Sequence, residues 1–244
     1  MNSVQGPSFQ PLYLQIKDLL TQSLDAGEWK PGEAIPSEMV LAARYKVSQG
    51  TVRKAIDALA AENIVVRRQG KGTFVATHTE EKSSMFRFLR IRRVDGVDEY
   101  PHRRLVDIRR GKASAEVARL LLLRPGEAVV ILRRVLEYSD EPVVLDEITL
   151  PAALFKGLTK ARYDAYRGST YSFFETQFGV RMVRADERIK AIAADPASAE
   201  ILKVAVGTPL LAVERVAYTY GDRPVEWRRG LCTTKNHYYL NQLG

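Results

Sequence analysis

The segment that most constrains how this chain can fold runs from residue 36 to residue 75. It reads PSEMVLAARYKVSQGTVRKAIDALAAENIVVRRQGKGTFV. Ser37 and Ser48 are candidate N-caps, because a serine hydroxyl at that position accepts a hydrogen bond from an exposed amide of the first helical turn. The segment therefore predicts two short helices, one after each serine.

The second of these helices carries one apolar face and one polar face. Its apolar residues recur at the i, i+3, i+4, i+7 spacing of a helix that packs on one side. The polar face is basic near its N-terminus, where a recognition helix places residues against base edges. Gly50 is easier to explain by close approach to DNA than by stability, since glycine inside a helix costs about 1 kcal/mol relative to alanine. The apolar residues are Val52, Ala55, Ile56 and Leu59.

A basic, glycine-rich turn follows the two helices. Two β-rich runs, residues 64–66 and 73–75, flank the sequence RRQGKG and predict a hairpin. Each piece alone could be an ordinary amphipathic helix pair or a solvated turn. In this order and at this spacing, they predict a winged helix-turn-helix that binds DNA.

The same residues resemble the DNA-binding domain of the GntR family of bacterial transcriptional regulators. The matching runs are PSE at 36–38, VS at 47–48, TVRKA at 51–55 and RQGKGTFV at 68–75. The family usually has arginine directly after the serine that opens the recognition helix, whereas this chain has Gln49. Arginine favours guanine and glutamine favours adenine in the major groove, so a different operator base is expected at that position.

We assign the expected DNA contacts by role. The residues expected to lie in the groove are at the start of the recognition helix: Gln49, Gly50, Thr51 and Arg53. Base reading is assigned above all to Gln49. Gln69 and Gly70 are expected to bring the wing into a groove. The residues expected to position the domain on phosphates are Ser37, Arg44, Ser48, Arg67 and Lys71. The predicted interface consists of Ser37, Glu38, Arg44, Ser48, Gln49, Gly50, Thr51, Arg53, Arg67, Gln69, Gly70 and Lys71.

The distribution of charge agrees with this placement. The chain carries a formal net charge of +8, and residues 44–75 hold seven Lys or Arg against two Asp or Glu. Basic charge concentrated on the helices and wing is what phosphate contacts require. Most basic residues after position 85 are expected to be solvated strand faces, with an anionic partner as the alternative.

The length of 244 residues suits two domains. We expect a DNA-binding domain over 9–76, a polar linker over 77–84 and an α+β domain over 85–243. No apolar run approaches the length that spans a bilayer, and the N-terminus lacks a signal-peptide pattern, so a cytoplasmic protein without a membrane partner is expected. The single cysteine, Cys232, excludes an intrachain disulfide.

The second domain contains a weak internal repeat. Residues 128–145 parallel residues 209–227, each with an apolar strand, an arginine (Arg134 or Arg215), a turn ending in proline and a second strand. Each copy follows a predicted helix that contains Ser-Ala-Glu. This duplication predicts a pseudo-symmetric antiparallel sheet with packed helices, and a third helix is predicted over 170–178.

This half resembles the UTRA domain, the effector-binding domain of the HutC subgroup of GntR regulators. The resemblance implies a chorismate-lyase-like fold with a ligand held between the sheet and neighbouring loops. It also implies an effector site formed by Phe86, Arg87, Arg134, Asp146, Ser169, Tyr171 and Glu226.

Two departures bear on the effector. Members that bind sugar phosphates commonly have a second arginine two positions after the first, where this chain has Leu136, and often a tyrosine where it has Cys232. Because arginine is the natural bidentate partner of phosphate, a carboxylate or another small anion is favoured over a phosphosugar. Two alternatives stay open: Arg134 could only pair with Asp146 or Glu147, and Tyr171 could simply be core.

An enzyme is the competing class, because the effector domain resembles a lyase fold. The three histidines do not show metal-ligand spacing, and no Gly-x-Ser-x-Gly elbow is present. Cys232 could be a nucleophile, but a lone strand cysteine is more often buried packing. We therefore expect no catalytic residue, metal or cofactor.

The function expected from these patterns is a metabolite-responsive repressor that binds a palindromic operator as a homodimer. One recognition helix covers few base pairs, so a dimer on two half-sites supplies the missing affinity. The alternatives are a constitutive DNA-binding protein whose second domain only dimerises, and an enzyme of chorismate-lyase-like fold.

Overall fold

The computed structural model describes residues 10–79 and 88–242. The chain forms two compact units. The first comprises the residues up to Thr77 together with Tyr220–Asp222, and the second comprises His78–Thr219 and the residues from Arg223 onward. The expected effector residues Phe86 and Arg87, and most of the expected linker, lie outside the described residues.

The first unit is a three-helix bundle with a small wing. Helices α1, α2 and α3 cover Leu12–Asp25, Glu38–Tyr45 and Gln49–Ala61. Strands β1 (Val65–Arg68) and β2 (Gly72–Val75) form an antiparallel hairpin.

Serine N-caps account for where helices α2 and α3 begin. The Ser37 hydroxyl accepts from the amide of Val40 at 3.4 Å, and the Ser48 hydroxyl accepts from the amide of Thr51 at 3.1 Å. Both N-caps are those predicted from the sequence. The four apolar residues predicted for α3 are all buried: Val52, Ala55, Ile56 and Leu59.

The second unit is built on a six-stranded antiparallel sheet in the order β4-β5-β6-β9-β8-β7, with β3 and β10 paired separately. Together with the first unit, this is the α+β architecture predicted from the sequence. The elements of the second unit are β3 (Ile91–Arg93), β4 (His102–Lys112), α4 (Ala115–Leu120), β5 (Ala128–Tyr138), β6 (Glu141–Pro151), α5 (Lys160–Ala165), α6 (Thr170–Phe178), β7 (Arg184–Ala193), α7 (Pro196–Leu202), β8 (Pro209–Tyr218), β9 (Pro224–Thr233) and β10 (His237–Tyr239). The 3-10 turn Tyr220–Asp222, between β8 and β9 in the sequence, belongs to the first unit.

The sheet has internal pseudo-symmetry. Elements β4-α4-β5-β6 and β7-α7-β8-β9 follow the same order, and the two copies meet between β6 and β9. This arrangement matches the sequence repeat. One detail differs: Ser114 caps α4, but Asp195 caps α7, so Ser198 lies inside the helix rather than at its start.

The two faces of the sheet carry different helices. On the face that includes Leu132 and Ile148, here called the cavity face, aromatic residues of α5, α6 and the preceding loop form the main core, among them Phe155, Tyr163 and Phe174. On the second face, α4 and α7 pack in two smaller clusters. Helix α5 is absent from the predictions.

Candidate nucleic-acid interface and ligand cavity

Glu38 is the centre of a polar network at the N-terminal end of the recognition helix α3. Its carboxylate accepts from the Nε2 of Gln49 at 3.3 Å, the Nε of Arg53 at 3.0 Å and the Nη1 of Arg67 at 3.3 Å. The hydrogen bond from Arg53 is the main cause that holds the pKa of Glu38 below its usual range. Three of the expected DNA contacts therefore hydrogen-bond to the carboxylate of a fourth, Glu38.

The side chain of Arg53 is more exposed than the carboxylate to which it is hydrogen-bonded. The Arg53 side chain is 57% exposed, whereas that of Glu38 is 16% exposed, so the guanidinium lies outside the carboxylate that holds it. Arg67 also pairs with Asp57 at 2.6 Å, and Arg44 pairs with Glu28 in a separate contact.

The backbone conformation favours glycine at the tip of the wing but not at the start of α3. Gly70 and Gly72 have φ angles of 68° and 106°, which favour glycine, and the exposed Lys71 lies between them at the tip. A Cβ at Gly50 would meet only the Ser48 hydroxyl, at 3.8 Å. Nothing in the described chain demands glycine there. Gly50 also lies in the first turn of α3, not in its middle.

A cavity of about 720 Å³ lies on the cavity face of the second unit. Its wall includes three guanidiniums from strands β5, β8 and β9, and the loop that leads into α6. His78 and Phe88 line it as well. These three guanidiniums, which are buried, are those of Arg134, Arg215 and Arg228, and the less buried Arg103 and Arg167 line the cavity as well.

Arg134 lies at one end of this wall. Its Nε and Nη2 donate to Asp146 at 2.9 and 2.8 Å, and its Nη1 donates to the Thr170 hydroxyl. Burial by itself raises the pKa of Asp146, but the charges of Arg228 and Arg134 more than offset it and lower that pKa. Asp146 therefore stays ionised between two arginines.

The network continues across the sheet through Tyr171. The Nε of Arg228 lies 3.1 Å from the Oε1 of Glu226, and the Tyr171 hydroxyl donates to the same oxygen at 2.8 Å. Arg215 donates to the Tyr171 oxygen at 3.2 Å and to Glu187 at 2.7 Å. Burial raises the pKa of Tyr171 to about 12, so the phenol stays a neutral donor.

This geometry can bind an anion. Three buried guanidiniums face the cavity, and the carboxylates that neutralise them lie behind it, because neither Asp146 nor Glu226 is among the lining residues. At this wall a ligand carboxylate or phosphate would meet guanidinium donors, and the one carboxylate among the described lining residues is that of the exposed Asp164. Guanidinium groups bind such anions through bidentate hydrogen bonds.

The structure brings five of the seven expected effector residues together. Arg134, Ser169 and Tyr171 line the cavity, while Asp146 and Glu226 contact the arginines from behind. Both alternatives left open by the sequence also hold in part. Arg134 pairs with Asp146, and Tyr171 belongs to the core cluster while lining the cavity.

Sequence reasoning missed two of the three buried arginines. Arg215 had a signal, since it is the repeat equivalent of Arg134. Arg228 had no signal of its own, because its strand also carries Glu226 and Arg229. Together these two residues supply basic groups in a cavity where Leu136 takes the place of an expected arginine.

Cys232 does not fit the role of a nucleophile. The residue is 1% exposed, and burial raises the pKa of its thiol to about 12. The thiol is therefore protonated near neutral pH, whereas the thiolate is the reactive form. Within the described ranges, no cluster of three or more His, Cys, Asp or Glu side chains could hold a metal ion. No helix in that part of the chain has the length and apolar character needed to cross a membrane.

Comparison with known proteins defines the class to which the chain belongs. Residues 12–75 match the family described as bacterial regulatory proteins, gntR family, and residues 99–237 match the UTRA domain. The chain therefore belongs to the GntR family, in the HutC subfamily that joins a helix-turn-helix to a UTRA domain. It is a transcriptional regulator and not an enzyme.

Two relatives that match along nearly the whole chain are described as repressors. The chain is 29% identical to the protein described as "Probable fructoselysine utilization operon transcriptional repressor" of Escherichia coli (strain K12), over 95% of this chain and 94% of the relative. It is 28% identical to the histidine utilization repressor of Pseudomonas putida, over 91% and 86%.

Solved structures agree with the assignment of the second unit. The ligand-binding domain of a GntR-family regulator from Bordetella bronchiseptica is 46% identical, with a TM-score of 0.63, over 64% of this chain and 98% of that one. YydK of Bacillus subtilis shares the fold at 17% identity, with a TM-score of 0.58, over 96% and 100%.

Proposed function

We propose that this regulator is a metabolite-responsive repressor that binds a palindromic operator as a homodimer. The observation that supports it most is a cavity walled by three guanidiniums in the unit that accompanies a helix-turn-helix. In this proposal residues 9–76 bind DNA, 77–84 link, and 85–243 sense and dimerise.

The proposed DNA contacts centre on the start of α3. Gln49 reads bases, and Gly50, Thr51 and Arg53 lie in the groove. Phosphates are met by Ser37, Arg44, Ser48, Arg67 and Lys71, the wing enters a groove through Gln69 and Gly70, and Glu38 holds the cations in place. Arg53→Ala is expected to abolish operator binding without altering ligand binding, and retained operator affinity would show that the groove assignment is wrong.

The proposed effector is a small organic acid, with a carboxylate favoured over a phosphosugar. The size of the cavity, about 720 Å³, leaves room for a polar organic body beyond the acidic group. The relatives named above are repressors of utilization functions for different compounds, so this cavity is expected to select its own metabolite.

The expected linker begins inside the cavity wall. The His78 amide donates to the Glu175 carboxylate at 3.1 Å, and its Nε2 lies 2.9 Å from the Met182 carbonyl oxygen. Its ring lies 5.5 Å from that of Tyr171 and 5.8 Å from that of Phe88, centroid to centroid. A ligand that moves either cavity ring therefore displaces His78, which belongs to the expected linker. A ligand acts as a switch only if its affinity differs between the two arrangements of the protein.

A thermal-shift screen against sugar acids, sugar phosphates and amino-acid-derived carboxylates tests the sensing role. A ligand at about 100 times its Kd should add about 2.7 kcal/mol to stability. Duplexes selected from a randomised pool then supply an operator for binding with and without the hit. If no acid stabilises the protein while selected DNA still binds, the constitutive DNA-binding alternative is favoured.

A further inference from the structure

The second face of the six-stranded sheet carries a row of charges that alternate in sign from one edge to the other. Each member is paired with the next across neighbouring strands. Directly paired residues of antiparallel strands point to the same face. The row, called the charge ladder below, is Asp107, Arg133, Glu147, Arg229, Glu214 and Arg188, from β4 to β7.

The charge ladder is not covered by the described chain. The side chains of Asp107 and Glu147 are 42% and 38% exposed, and both Arg229 and Arg188 are exposed. Helix α4 packs near Val129 at one end of the strands, and α7 packs near Leu145 and Leu231 at the other. The ladder lies between them.

The order of signs makes this face complementary to itself. A two-fold axis that runs parallel to the strands, midway between β6 and β9, places a second copy face to face with the first and reverses the strand order of that copy. Each charge then lies opposite one of the other sign, as Glu147 faces Arg229 and Arg133 faces Glu214. An axis across the strands would place like charges together.

The adjacent row on the same face obeys the same rule. It includes Arg109 on β4, Ile131 on β5, Val216 on β8 and Asp186 on β7. Under the central axis along the strands, Arg109 faces Asp186 and Ile131 faces Val216. The ladder tolerates a shift of the axis by whole strands, which lets α4 and α7 of one copy lie beside those of the other.

We propose that the second face is the surface through which two copies of this chain associate, with the two-fold axis running along the strands. This inference rests on the proposed homodimer and adds the interface. A self-complementary patch is what a two-fold dimer requires, and face-to-face sheets keep their strands within about 30° of each other.

Complementary charge reversals of the full chain test this. The positive variant is Glu147→Lys with Glu214→Lys, and the negative variant is Arg133→Glu with Arg229→Glu. Like charges facing each other cost several kcal/mol, so each variant alone should self-associate at least roughly tenfold more weakly than the wild type. An equimolar mixture should restore the dimer in sedimentation velocity.

The matched control is the double variant Arg110→Glu with Lys112→Glu, which also reverses two charges. These residues lie on β4, and Arg110 pairs with Val130, a residue of the cavity face. It should dimerise like the wild type. Should the reversals lower the melting temperature too far, Glu214→Gln with Arg229→Gln gives a milder loss of association. A wild-type dimer unaffected by any ladder variant would overturn the interface but not the homodimer. A wild-type monomer on its operator would overturn the homodimer itself.

Discussion

The substitution Asp146→Asn tests whether Asp146 belongs to a buried charge network, whose loss lowers stability more than the loss of a surface ion pair does. The side chain is 4% exposed and lies 2.8 Å from Arg134 and 3.6 Å from Arg228. Asparagine keeps its volume, so no cavity forms, but two buried guanidiniums lose a shared counter-charge. Removing one partner of a buried ion pair costs about 3–5 kcal/mol. At about 2–4 °C per kcal/mol for a unit of this size, the melting temperature should fall by about 6–20 °C.

Differential scanning calorimetry measures this loss, with the same kind of substitution, Asp95→Asn, as the control. The Asp95 side chain is 48% exposed and pairs with Arg93 at 2.5 Å on the surface, where an ion pair contributes little to stability. The uncompensated arginines of Asp146→Asn should also gain more stability from added organic acids than the wild type does. Equal effects of the two substitutions would refute the buried network.

Two further changes address the DNA interface and pH dependence. Gly50→Ala should leave stability unchanged or raise it by up to about 1 kcal/mol, because within the described chain its Cβ would meet only the Ser48 hydroxyl, at 3.8 Å. It should weaken operator binding in fluorescence anisotropy, because the proposed interface brings DNA close to this position; unchanged operator affinity would contradict the close approach. Burial, and then Arg93, lowers the pKa of His237, so the folded state resists protonation that the unfolded chain accepts. The wild-type melting temperature should therefore fall as pH drops below about 6.5, and His237→Gln should flatten that slope; parallel slopes would contradict this origin.

The first unit could be predicted from its sequence because its determinants are local. Ser37 and Ser48 cap the helices that follow them, and the apolar residues of α3 recur at helical spacing. The glycines of the wing mark its turn. The sheet of the second unit could be predicted from an internal repeat, since a duplicated hairpin has few ways to complete one antiparallel sheet.

The cavity could be predicted only in part, because its contacts depend on register between distant strands. Arg215 meets Glu187 and Tyr171 meets Glu226 across long stretches of chain. No sequence pattern shows which strand places Arg228 beside them. Helix α5 escaped prediction because six residues are too few to establish a helical period.

The central claim is that an organic acid in the cavity controls operator binding by the first unit. The direct measurement is operator affinity by anisotropy at increasing concentrations of the stabilising acid, paired with acid affinity by calorimetry with and without operator. The claim predicts that acid and operator change each other's affinity by the same factor, because coupling between two sites is reciprocal. Arg134→Ala should abolish that factor while leaving operator binding by the acid-free protein intact. An operator affinity that stays constant at saturating acid would contradict the claim.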